Sequence, residues 1–322
     1  MVDVFLLTTD PTSDRVGRLK TWLSSLQETF PHQLYLIDLR QQKYFKKKSE
    51  EILIVRIDEK QVSNPEVPEN IRLTLSEAYK NANSPDYRPV SAKDRLTASE
   101  RFSLWFSRHY LGLINTLLAL YILLPISAPI MMKLGQERPA KAIYGFYRPL
   151  CHQLAYRSFF LFGEQAYYPL DVAVGSEWLS YSQVSGNPRE DLQAASAFIG
   201  NDRAGYKIAL CQRDVAIYSS LLLFGIVFAL TGRKFKPLPW WLWILLAIGP
   251  LGLDGVWQLV SYLQLPFLSW LTAHESTPFL RVLTGAAFGW FTAWFGIPTI
   301  EESVIEERTR LEAKLAIERQ TG

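Results

Sequence analysis

The chain has 322 residues, 48% of them hydrophobic, with a mean hydropathy of +0.02 and a formal net charge of +3. So small a charge, with no Lys/Arg stripe interleaved with aromatics, argues against a nucleic-acid partner. Two cysteines exclude a disulfide framework and leave room for one bridge. These averages hide a segregation, because charged residues crowd positions 1–109 and 300–322 while the interior has long stretches almost without charge. The N-terminus, Met1-Val2-Asp3-Val4-Phe5, lacks the basic region of a secretory signal, which predicts a cytoplasmic N-terminal domain.

In chain order, Val2 to Thr9 is an apolar run that ends in the turn-like Asp10-Pro11-Thr12-Ser13. Ser13 or Asp14 caps a predicted helix from about Arg15 to Phe30, with Val16, Leu19, Trp22, Leu23 and Leu26 on one face. Gln33–Leu39 and Ile52–Ile57 read as strands, separated by the basic run Lys43, Lys46, Lys47 and Lys48, and Thr74–Asn81 reads as a closing helix. Strands alternating with helices at this scale predict a small α/β domain over residues 1–82. It resembles a glutaredoxin-like, thioredoxin-fold domain, with Asp10 to Asp14 where the active-site turn would lie. That chemistry needs a low-pKa thiolate at the helix start. The turn here, Thr9-Asp10-Pro11-Thr12-Ser13-Asp14, has no cysteine, so the resemblance implies a docking or structural unit without redox activity.

Residues 83–104 read as a linker and basic juxtamembrane segment, with Pro85 and Pro89 and then Lys93, Arg95 and Arg101. Arg108 follows, and Trp105, Phe106 and Tyr110 are placed as interfacial anchors. The membrane domain is predicted over 105–300. Its four spans are Leu111–Met132, Val215–Gly232, Leu238–Tyr262 with Asp254 as its one charge, and Leu280–Ile297 with Arg281 near its start. Each reaches the roughly 20 residues that a bilayer core of about 30 Å requires. Ala142–Gly163 is also long and aromatic, but Arg148, His152 and Arg157 interrupt it, so it is predicted as a helix at the interface or packed against the bundle. A long polar loop follows near 164–210.

The tail, 301–322, reads as a charged helix with ion pairs at i,i+3 and i,i+4 and a narrow stripe of Val304, Ile305, Leu311, Leu315 and Ala316. The basic groups before the first span and after the second (Arg233, Lys234, Lys236) predict a multi-pass protein of the cell membrane with both termini cytoplasmic. Lys133, Arg138, Lys141, Arg148 and Arg157 then lie outside, against the same rule. The fold class predicted is a mainly α membrane helical bundle with an N-terminal α/β thioredoxin-like domain.

That topology gathers eleven polar residues at one membrane face: Cys151, His152, Arg157, Cys211, Arg213, Asp214, Tyr218, Asp254, Gln258, Glu275 and Arg281. Cys211, Asp214 and Tyr218 share one helix face, and Pro250, Asp254 and Gln258 share another. Carboxylates within spans must face inward and find partners, and Arg157, Arg213 and Arg281 are the available cations.

Four motifs occur in order: Cys151-His152-Gln153 with Arg157-Ser158, Cys211-Gln212-Arg213-Asp214 with Ile217-Tyr218, Asp254-Gly255, and Glu275-Ser276-Thr277 with Arg281 and Thr284-Gly285. On these, the region resembles an uncharacterised family of bacterial membrane proteins known only as a domain of unknown function. The resemblance implies a multi-pass membrane domain and supplies no activity. Asp214 stands where many members have a second cysteine, and the stretch of about fifty residues between the first two motifs exceeds theirs.

Three readings of the cluster stay open. In one, Asp254, Glu275, Arg213 and Arg281 form buried ion pairs that lock the helices together. In the second, Cys151, His152, Cys211 and Asp214 bind a metal such as zinc, with Glu275 or His274 in reserve. In the third, Cys151 and Cys211 form a disulfide in an oxidising outer compartment. The leading function is a membrane scaffold or binding protein, with a membrane-embedded metal-dependent enzyme or a small transporter as the alternative. Its implied partners are the lipid bilayer and, through the N-terminal domain or the tail, another protein or a second copy of the chain.

Overall fold

The computed structural model describes residues 2–28, 30, 32–39, 53–57, 60–62, 65, 68–82, 96–170, 172, 177–263 and 275–321. The run Lys43 to Lys48, the linker segment with Lys93 and Arg95, and His274 lie outside the described residues. The chain divides into two compact units, 1–108 with 303–322, and 109–302.

The first unit is built around β1 (Val2–Thr8), which pairs in parallel with β2 (His32–Asp38) and antiparallel with β3 (Leu53–Ile57). β4 (Lys60–Gln61) extends the sheet to the order β2-β1-β3-β4. A central strand covered on both faces needs a continuous apolar run, not an alternating one, and β1 has one from Val4 to Leu7. Val2, Val4 and Leu6 pack with Val16, Leu23 and Leu26 of the α1 region (helix Asp14–Ser25) and with Ile71 and Leu75 of α2 (Pro68–Ala82). Phe5 and Leu7 pack on the opposite face with Ile37, Ile54 and, from the C-terminal tail, Ala313 and Ala316. Ser13 caps α1 by accepting the Val16 N–H at 3.3 Å.

The tail is the last part of α10 (Pro278–Thr321), and it binds the start of α3 (Ala98–Lys133) through charge. Glu312 is fully buried and receives Arg108 at 2.6 Å, while Arg101 reaches Glu318 at 2.7 Å and Lys314 reaches Glu100 at 2.9 Å. Basic residues that the sequence presents as membrane flanks are therefore engaged by the tail.

In the second unit, three helices are long and apolar enough to cross a membrane: α3, α7 (Gln212–Leu230), and the run Trp240–Ser261. That run comprises α8 (Trp240–Trp243), a π turn over Ile244–Ile248, and most of α9 (Gly249–Leu263). The π turn lies just before Pro250, whose ring clashes with the carbonyl four residues back, so the wider turn absorbs the misfit. These helices turn large aliphatic side chains outward; Leu230 is 81% and Leu253 74% exposed. Such surfaces fit a hydrocarbon solvent.

The apolar half of α10 packs closely on α7. A Cβ at Gly289 would stand 2.1 Å from the Ile217 carbonyl oxygen, and one at Gly285 2.7 Å from that of Arg213. This small-residue pair, spaced i,i+4, brings two helix backbones together as membrane helices do.

Residues 142–163 do not form a single helix. α4 spans Glu137–Tyr147, Arg148 still has helical backbone as its C-cap, and the chain leaves the helix in a turn through Pro149, which has no N–H to continue the ladder. The chain then turns through Gln153 at φ 51° and a 3-10 turn at Ala155–Arg157 into β5 (Ser158–Leu161). Nor is 164–210 simply a polar loop. It carries α5 (Tyr181–Ser185), α6 (Leu192–Ala197), β6 (Gly200–Asn201) and β7 (Gly205–Cys211), with the sheet in the order β5-β7-β6. Tyr156, Phe160, Tyr168, Tyr181 and Ala195 form its core.

Candidate functional site

The site begins where β7 runs directly into α7. Cys211 ends the strand and caps the helix, its sulfur accepting the Asp214 N–H at 3.4 Å. The Cys151 sulfur, in the turn after α4, accepts the Cys211 N–H at 3.3 Å. Both cysteines are free thiols, and Cys151 Sγ, Cys211 Sγ and a carboxylate oxygen of Asp214 all lie within 4.8 Å of one another. The Cys211 thiol donates to Cys151, which lowers the Cys151 pKa and raises that of Cys211; burial adds to the rise.

His152 is solvent-exposed and not among those three ligand atoms; its carbonyl accepts the Ser196 hydroxyl at 2.7 Å. The glutamines of the two cysteine motifs act as braces. Gln153, buried, donates to the Tyr144 carbonyl at 2.9 Å, and Gln212, fully buried, donates to the Ser158 carbonyl at 3.3 Å.

Beneath this turn lies Lys207, a residue that sequence reasoning did not single out. It is wholly buried, and its ammonium donates to the carbonyls of Gln153 at 2.6 Å and Ser196 at 2.8 Å. Burial, with the Arg148 charge, pulls its pKa from 10.5 down to about 7. A lone lysine in a strand ordinarily reads as a solvated residue, so the sequence carries no signal for it.

The charged members form a second group. Arg157 grips Glu275 with two bonds, at 2.7 and 2.8 Å, while Gln258 donates to the same carboxylate at 2.9 Å and Arg281 closes on it from α10. Arg213 pairs with Asp254, which also accepts the Ser276 hydroxyl at 2.9 Å. Arg281 is only 3% exposed, so its pairing with Glu275 compensates a nearly complete desolvation. Tyr218 meets Tyr121, the two rings tilted at 54° with their centres 4.4 Å apart.

A third group, unforeseen, joins the far ends of the helices. Glu301 of α10 accepts Tyr110 at 2.7 Å and Arg233 at 3.0 Å, and the Arg233 guanidinium lies 5.5 Å from the Tyr110 ring centre. From Arg281 to Glu301 α10 climbs twenty residues, a rise of about 30 Å. That spacing was readable in advance, but Glu301 opens a strongly charged tail and does not stand out there.

Residues 201–295 match a family model described as "Predicted membrane protein (DUF2085)", a family of unknown function. With the three apolar helices, this match makes the chain a membrane protein. The matched stretch of the membrane protein holds Cys211, Arg213, Asp214, Asp254, Glu275 and Arg281; Cys151 and Arg157 precede it. No curated protein and no solved structure compared with the chain matches it.

Proposed function

We propose that the chain is a four-span scaffold of the cell membrane, with both termini cytoplasmic and the residues from 148 to 211 folded as a cap on the outer face. The observation that carries this reading is the pair of polar layers on α10. Arg281 with Glu275 at one end and Glu301 at the other are separated by about one bilayer thickness. The fourth span is the apolar half of α10, where Gly, Thr and Trp lower the hydropathy and where glycines seat the helix on α7. At the outer layer, Arg157 of the cap, α9 and α10 meet at Glu275, and α7 meets α9 at Arg213–Asp254. These pairs fasten the ends of the helices and hold the cap. The βαβ unit followed by an antiparallel strand and a helix supports a glutaredoxin-like N-terminal domain, which without cysteines at its turn serves as a docking or structural unit.

Glu275→Gln and Asp254→Asn test the scaffold. Glu275→Gln removes the charge that faces the buried Arg281, a change that typically costs about 3–5 kcal/mol, and Asp254→Asn removes the charge that faces the part-exposed Arg213, which costs less. Both variants are therefore expected to melt below the wild-type protein in detergent, Glu275→Gln by more. Wild-type melting of both variants would overturn the locking role.

A further inference from the structure

We propose that Cys151, Cys211 and Asp214 form a binding site for a divalent ion of the zinc class, with one coordination position left to solvent. The three ligands come from two separated stretches, the turn after α4 and the β7–α7 junction, and the fold brings them within 4.8 Å of each other. A tetrahedral zinc with Zn–S bonds of about 2.3 Å holds its ligands about 3.8 Å apart.

The local chemistry favours a cation. Each sulfur accepts one backbone N–H, from Cys211 at 3.3 Å and from Asp214 at 3.4 Å. Such donors stabilise thiolates while leaving sulfur lone pairs for a metal. Ionising all three groups would put three negative charges in one small space. Arg213, the cation next to Asp214 in sequence, is turned to Asp254. A bound dication is the group that lets all three ionise together.

Two thiolates with a carboxylate select a borderline-soft ion over magnesium or calcium. Among the described residues the cluster has three protein ligands, the pattern of an open site whose last position takes water or substrate. The supports are in place around it, since Gln153 and Lys207 hold the Cys151 turn and Gln212 ties the start of α7 to Ser158.

The test uses the full-length chain in detergent, stripped of metal with a chelator and fully reduced. Cobalt(II) is added and the thiolate-to-cobalt charge-transfer band is followed, with zinc as the displacing ion and native mass giving the stoichiometry. One equivalent per chain is expected for the wild type and equally for His152→Ala. Cys151→Ser and Cys211→Ser are expected to lose the band. Asp214→Asn should keep it with affinity weakened roughly tenfold or more. Absence of the band in the wild type with both thiols titratable would overturn the site. A mass about 2 Da low before reduction, as one disulfide requires, would assign the pair to a bridge instead. If the serine variants do not fold, the wild-type titration and Asp214→Asn decide the matter, and an unchanged affinity in Asp214→Asn removes the carboxylate from the site.

Discussion

Lys207 shows what a single residue imposes on this molecule. Its side chain is fully buried between carbonyl oxygens, and its pKa falls from 10.5 to about 7 because the charged form is desolvated and faces Arg148. Below about pH 7 the amine is charged in both folded and unfolded chains. Between there and 10.5 the unfolded chain holds the extra proton, so stability rises with pH across that window. The slope from one such group is about 1.4 kcal/mol per pH unit. Melting of the wild type at pH 6 to 9 should therefore rise more steeply than that of Lys207→Met, whose curve lacks this contribution; equal slopes would show that the amine does not change protonation there. At the same scale, the Cys211-x-x-Asp214 spacing was legible because one helical turn fixes it, and the charged cluster was legible because buried carboxylates must find cations. Its residue type and its place beside Cys151 make His152 a candidate ligand in the sequence. Neighbours in an irregular turn point in different directions, and the turn leaves His152 in solvent.

Helices rich in one kind of residue announce themselves; mixed elements do not. The uncharged run of α3 and the run of α7 were readable because about 20 apolar residues leave few alternatives. The Ala142–Gly163 stretch reads as one helix by composition, yet Pro149 and the left-handed Gln153 break it into helix, turn and strand. The elements described between 164 and 211 carry little signal in the sequence, because the strands are two and seven residues long and the helices five and six, too short for periodicity. The α7–α10 contact depends on an element-level feature that hydropathy does not register, the pair Gly285 and Gly289. Gly289→Val would drive its side chain into the Ile217 backbone, which has no rotamer with which to yield. Overpacking of this kind costs about 1–3 kcal/mol, and a clash with backbone lies at the upper end. The variant should melt several degrees lower in detergent, whereas the same change at Gly252, with nothing within 4 Å, should leave melting close to wild type. Equal melting of the two variants would mean that the glycine pair does not set the helix spacing.

For the whole molecule, the deciding question is which side of the membrane each polar layer occupies. The layers differ in composition: Arg157, Arg213 and Arg281 with two carboxylates form one, and Arg233, Tyr110 and Glu301 form the other. Positive charge alone does not orient the protein, since both layers contain arginine and the segment 133–157 adds more on the side assigned as outer. What does constrain it is parity. With α10 counted as a span, the chain crosses four times and both termini share a side; without it, the tail lies opposite the N-terminal domain. The tail helix, however, packs Ala313 and Ala316 on the same sheet face as Phe5 and Leu7, and Glu312 pairs with Arg108. Within that compact unit the tail packs on the N-terminal sheet, and the proposed four-span topology is the one that keeps the two in one compartment. An epitope inserted at Asn187 should accordingly be reached by antibody in intact cells, while one at the C-terminus should be reached only after permeabilisation. Exposure of the C-terminal epitope alone would reverse the orientation and keep the parity. Exposure of an N-terminal epitope without the C-terminal one would break the parity and, with it, the fourth span.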